Sequence, residues 1–184
     1  MVGAIIFIAI CIGIILLGIS GMKKQKEAKK LQESKKQELG ISKTFDAGKY
    51  ITGHSKITTP NLDVQMYFKD DIIFIIDNSP NLKELGQIPL KEVTNVSVED
   101  ASTVEKRITA TRLLTIGIFA FAAKKNEKKE MYYLTINWKD GKFDQETIFE
   151  FNFKPNVPKN QQNLLKSANI LKSEIMNQAN SIMV

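Results

Sequence analysis

Hydrophobic and polar positions divide this chain into segments of different texture. Val2 to Ile19, VGAIIFIAICIGIILLGI, is apolar without a charged side chain. Residues 22–39, MKKQKEAKKLQESKKQEL, are the reverse, rich in charge and free of Gly and Pro. From about Lys49 the pattern becomes one of short strands. Val64, Met66 and Phe68 alternate with Gln65, Tyr67 and Lys69, the period-two signal of a half-buried strand. From Asn160 to Ile182 the period is helical, with Leu164, Ala168, Leu171, Ile175 and Ile182 on one stripe. Pro158 and Asn160 are placed to start that helix.

The strand region predicts seven strands. They are Tyr50 to Thr58, Val64 to Lys69, Ile72 to Ile76, Gly86 to Leu90, Asn95 to Glu99, Met131 to Trp138 and Gln145 to Phe153. Asp70-Asp71 is a tight break, and Asn78-Ser79-Pro80-Asn81 is a turn cluster. Asp140-Gly141 is a good hairpin turn between the last two strands. One apolar stripe on a final helix predicts that this helix packs on, or plugs, a small barrel. The aromatics Phe68, Phe74, Phe149 and Phe151 fit its core.

The first segment predicts a membrane anchor, residues 1–21. Eighteen helical residues span about 27 Å, close to a bilayer's hydrocarbon thickness. A cleaved signal peptide wants basic residues before the apolar run, and here Lys23 and Lys24 follow it. Lipid attachment at Cys11 would want a small residue before it, where Ile10 stands. Residues 22–43 read as a basic helical stalk, with Gly40 as a natural helix stop. Residues 23–43 carry eight lysines against three glutamates, a net +5 of the chain's +6. Lys23, Lys24, Lys26, Lys29 and Lys30 lie just after the span. They predict an N-terminus outside and residues 23–184 in the cytoplasm. They are also juxtamembrane candidates for holding anionic lipid.

Composition removes many functions. One cysteine, Cys11, and one histidine, His54, leave no disulfide framework and no cysteine-cluster or His-pair metal site. There is no P-loop and no GxGxxG, so no nucleotide cofactor is implied. His54 reads as a structural strand residue before it reads as a catalytic base. No catalytic residue, metal or cofactor is assigned. The near-neutral charge beyond the stalk argues against nucleic acid.

A motif then points to a family. Residues 107–125, RITATRLLTIGIFAFAAKK, are followed by Tyr132-Tyr133-Leu134-Thr135-Ile136. This resembles the TATRLLxxGxFAxAxKK signature of uncharacterised bacterial and phage proteins with pleckstrin-homology-like (GRAM-like) domains. Gly53-His54 resembles that family's opening. The resemblance covers residues 49–155. It implies a seven-stranded, partly open β-barrel with a C-terminal helix over residues 44–184, the helix at 159–182. With the anchor and stalk, the fold class expected is α+β. Such domains bind phosphoinositides, other lipids or peptides. The loop after the first strand, residues 58–63, has no basic residue for phosphoinositide.

Leu113 to Ala123, LLTIGIFAFAA, is apolar but too short to span a bilayer. Three readings stay open: a buried element covering one side of the barrel, a membrane-dipping element, or a protein-partner surface. Arg107, Arg112, Lys124, Lys125, Lys128 and Lys129 are the candidate lipid or membrane contacts. Ion pairing for the arginines and a solvated loop for the lysines are the plainer uses. The expectation is a single-pass membrane protein whose non-enzymatic domain binds the membrane surface or lipid headgroups. The alternative is a protein-interaction scaffold held at the membrane by its N-terminal helix.

Overall fold

Two tight turns and a helix stop show how local sequence shapes this chain. In the computed structural model, residues 22–100, 103–104, 131–152 and 163–182 are described. Residues 22–38 form helix α1, as expected for a stretch of straight-chain residues without Gly or Pro. Lys35 pairs with Glu38 at 2.7 Å and Lys36 with Glu33 at 3.3 Å along it. Gly40, at φ +67°, ends it. The Ile41 N–H donates to the Lys36 carbonyl and the Gly40 N–H to that of Gln37, the paired bonds of a Schellman stop.

Among the described residues seven strands follow: β1 (Phe45–Thr52), β2 (Leu62–Lys69), β3 (Ile72–Asp77), β4 (Glu84–Pro89), β5 (Val93–Asp100), β6 (Tyr132–Asp140) and β7 (Phe143–Phe151). Helix α2 (Leu164–Ile182) comes last. β2 turns into β3 at Asp70-Asp71, both at positive φ, which Asp tolerates better than most residues. β6 and β7 form a hairpin in register from Tyr132 opposite Phe151 to Asp140 opposite Phe143.

All pairings are antiparallel, in the order β4-β3-β2-β1-β7-β6-β5. β4 and β5 are consecutive in the chain yet lie at opposite edges. A three-residue 3-10 turn, Leu90–Glu92, carries the chain between them and buries Leu90. Closing a barrel would need these two strands to pair along their length, and they do not. The expected partly open β-barrel is therefore corrected to an open seven-stranded antiparallel sheet in an α+β domain.

The core lies between one sheet face and α2. Ala47, Met66, Ile73, Ile75, Leu134, Ile136 and Phe149 from the strands meet Ala168, Leu171, Ile175 and Ala179 from the helix. Asn163 caps α2, its Oδ1 accepting from the Lys166 N–H at 2.9 Å. That is three residues beyond the Asn160 expected to start the helix. Glu174 on α2 reaches Lys43 at 3.8 Å, and the Lys43 ammonium lies 4.3 Å from the Phe45 ring centroid. Alternation sends Tyr67, Ile76, Tyr133 and Ile148 to the other face, where they too are buried. Phe74 belongs to that second face, stacked on Tyr67 at 4.7 Å. It is not part of the core cluster, where it was expected with Phe68, Phe149 and Phe151.

The anchor expectation is corrected as well. Among the described residues no helix is long and apolar enough to cross a membrane. Residues 1–21, on which the expectation fell, lie outside the described residues. The integral single-span placement, the N-terminus outside and the cytoplasmic domain all rested on that anchor. They are not carried forward.

Candidate functional site

The sheet has two edges, and they differ. β4 is six residues long, carries an irregularity opposite Ile75 and Ile76, and ends in Pro89. A strand so shortened and proline-ended is a poor template for pairing. It is also capped. His54, in the loop between β1 and β2, sets its Nε2 3.1 Å from the Gln87 carbonyl. Its Nδ1 lies 3.1 Å from the Lys56 N–H, which donates to it. Nδ1 is thus the acceptor and Nε2–H the donor, which fixes a neutral tautomer.

The loop under this ring is pinned from several sides. The Tyr50 hydroxyl accepts from the His54 N–H and donates to the Ile57 carbonyl, each at 3.1 Å. The Ile57 N–H returns to the His54 carbonyl at 3.2 Å. Ser55 Oγ donates to Asp140 at 2.6 Å. Trp138 lies 5.2 Å from the imidazole, ring to ring, and its Nε1–H donates to Thr147 Oγ1 at 2.9 Å. Thr147 in turn donates to the Gly53 carbonyl at 3.1 Å. Gly53, at φ +92°, is so close to the Glu146 carbonyl that a Cβ would overlap it. The predicted first strand, Tyr50 to Thr58, therefore ends early: β1 stops at Thr52, and the next residues serve this capped loop instead.

Burial pushes the His54 pKa below its ordinary 6.5, and Lys56 adds to this. The bond to Gln87 and the charge of Asp140 pull the other way but do not offset burial. Burial also raises the Tyr50 hydroxyl. With both ring nitrogens engaged, His54 is held as a structural residue and has no free lone pair for a substrate proton.

β5 is the contrasting edge. It is eight residues long, Val93–Asp100, and among the described residues no strand lies on its far side. Thr94 and Asn95 are exposed, and Ser97 and Val98 half-buried. Residues 93–98 hold no Pro and no charge; the two carboxylates fall at the last positions, Glu99 and Asp100. An open polar hollow of about 390 Å³ flanks its start, lined by Thr94, Asn137, Trp138, Asp144, Gln145 and Glu146. Among the described residues no group of three His, Cys, Asp or Glu side chains is placed to hold a metal ion.

Of the site residues expected from sequence, Arg107, Arg112, Lys124, Lys125, Lys128 and Lys129 lie outside the described residues, as does the apolar run 113–123. Lys23, Lys24, Lys26, Lys29 and Lys30 are exposed on α1. Sequence reasoning missed the partners of His54. Gln87 is 33 positions away, and no local pattern announces it. A signal was present in Gly86, the glycine that opens the predicted strand Gly86 to Leu90, since a glycine in a strand pattern marks a close approach.

No family model matches the chain, and no curated protein matches it either. The motif that carried the resemblance falls largely outside the described residues; its Tyr132–Ile136 part lies in β6.

Proposed function

We propose that the folded domain is a non-enzymatic protein-interaction module that takes an extended segment of a partner protein onto the outer edge of β5, along Val93–Val98. The observation that carries this reading is the asymmetry of the two edges. β4 is short, proline-ended and capped by His54, while β5 is long, uncharged over six residues and, among the described residues, has no strand on its outer side. An unprotected edge offers a row of backbone donors and acceptors. Strand addition supplies main-chain hydrogen bonds for affinity and alternate side-chain positions for specificity. The engaged ring nitrogens of His54 support the non-enzymatic part.

The test is selection of random peptides against the full chain, followed by amide exchange with and without the selected peptide. Binding should protect amides within Val93–Val98, and Val98→Pro, at a position whose backbone N–H the register turns away from β6, should abolish it while the far-ultraviolet spectrum stays folded. Edge amides already protected in the free chain would show an edge filled from within and overturn the reading. A concentration-dependent dimer that competes with peptide would replace the foreign partner by a second copy.

A further inference from the structure

The His54 cap has a second property, which stands whether or not β5 takes a partner. Its two hydrogen bonds need the neutral ring: a lone pair at Nδ1 for the Lys56 N–H, and a proton at Nε2 for the Gln87 carbonyl. A second proton would go to Nδ1. Two donors, Nδ1–H and the Lys56 N–H, would then face each other across 3.1 Å. The ring cannot retreat toward β4, because it already lies against the backbone of Gly86.

We propose that the loop of residues 53–57 is an acid-released latch on the β4 edge, held shut by neutral His54 and freed when the imidazole takes a second proton. Release withdraws the cap from the Gln87 carbonyl and so uncovers a second edge of the sheet.

The groups around the ring agree with this. β4 presents Gly86 and the Gln87 carbonyl, neither of which titrates. β6 presents Trp138 and the charge of Asp140, which favours the imidazolium. β1 presents Tyr50, whose hydroxyl burial keeps neutral through this range. On the loop itself, Lys56 opposes the imidazolium. Thr147 of β7 meets the network through Trp138 and Gly53 and does not titrate. Burial outweighs the bond to Gln87 and the charge of Asp140, so the ring stays neutral near pH 7 and charges on acidification. Asp140, tied to Ser55 at 2.6 Å, keeps the middle of the loop attached, which makes the opening local.

Amide exchange on the full chain, corrected for the intrinsic pH dependence of exchange, reads the latch directly. Between about pH 7.5 and about pH 5, a range that brackets the histidine titration, the Lys56 and Ile57 amides should lose protection by on the order of tenfold. Met66, Ile75 and Leu134, in the core, should keep theirs. His54→Gln should remove the acid response. Gly86→Ala, which displaces the ring, should open the loop at both pH values. Unchanged Lys56 and Ile57 protection across the range would overturn the proposal. So would a loss shared equally by the core, or an imidazole whose proton resonances titrate at or above the ordinary histidine value.

Discussion

The imidazole of His54 occupies the space that a side chain at residue 86 would need: a Cβ on Gly86 would fall 2.5 Å from its Cε1 and 2.7 Å from its Nε2. His54 is 5% exposed and cannot yield outward without losing Gln87 and Lys56. Gly86→Ala should therefore overpack the contact. The expected cost is about 1–3 kcal/mol, read as a lower urea midpoint with an unchanged slope. Combining Gly86→Ala with His54→Ala should recover part of that loss, because the double variant removes the clash; additive losses would show that the ring is not what residue 86 meets.

Tyr50 holds the same loop through one oxygen. Its hydroxyl satisfies the buried His54 N–H and the Ile57 carbonyl at once. Tyr50→Phe keeps the ring, and with it the edge contact to Phe149 at 6.0 Å, but leaves both backbone groups unpaired. Loss of a partner to a buried polar group costs about 1–3 kcal/mol. Equilibrium denaturation should show a loss in that range, and exchange at the Ile57 amide should rise before that of the core.

The displaced titration of His54 also fixes the sign of a stability change with pH. The folded ring titrates below 6.5, its ordinary value in the unfolded chain. Between those two values the unfolded chain binds more protons, so acid favours unfolding. The contribution is complete above the unfolded value and is lost as pH falls through the folded one. Wild type should lose more stability than His54→Gln on going from about pH 7.5 to about pH 5, measured as the difference between their urea midpoints. Equal losses would mean that the ring is free to ionise in the fold.

Short-range features were legible in the chain. The alternation of Val64, Met66 and Phe68 places β2, and Asp140-Gly141 marks the β6–β7 turn, because each depends on a few neighbouring residues. The stripe on α2 is visible for the same reason. The start of β1 at Phe45 was hidden: its register shifts between Asp46 and Lys49, and a bulge breaks the period-two signal. The order of the strands was hidden too. A two-residue turn implies neighbours, whereas the 3-10 turn after Pro89 sends β5 to the far edge. The candidate edge follows from that order, so no reading of β5 alone could find it. The His54 cap needs Gly86, Gln87 and Trp138 together, three positions that only the sheet assembles.

Two adjacent residues on α2 give the sharpest check of how the helix sits. Leu171 is 1% exposed and belongs to the core cluster, while Ile170 is 50% exposed. One step along a helix turns the side chain by about 100°, enough to carry it from core to solvent. Leu171→Ala removes buried methyl groups from among Ala168, Ile175 and the strand residues beneath, and should cost about 2–5 kcal/mol. Ile170→Ala removes little buried surface and replaces a β-branched residue by a better helix former. Its effect should stay within about 0.5 kcal/mol of wild type, in either direction. Urea midpoints for the two variants measure the contrast. Comparable losses at both positions would mean that the outer face of α2 is covered in solution, and that Ile170 belongs to an interface.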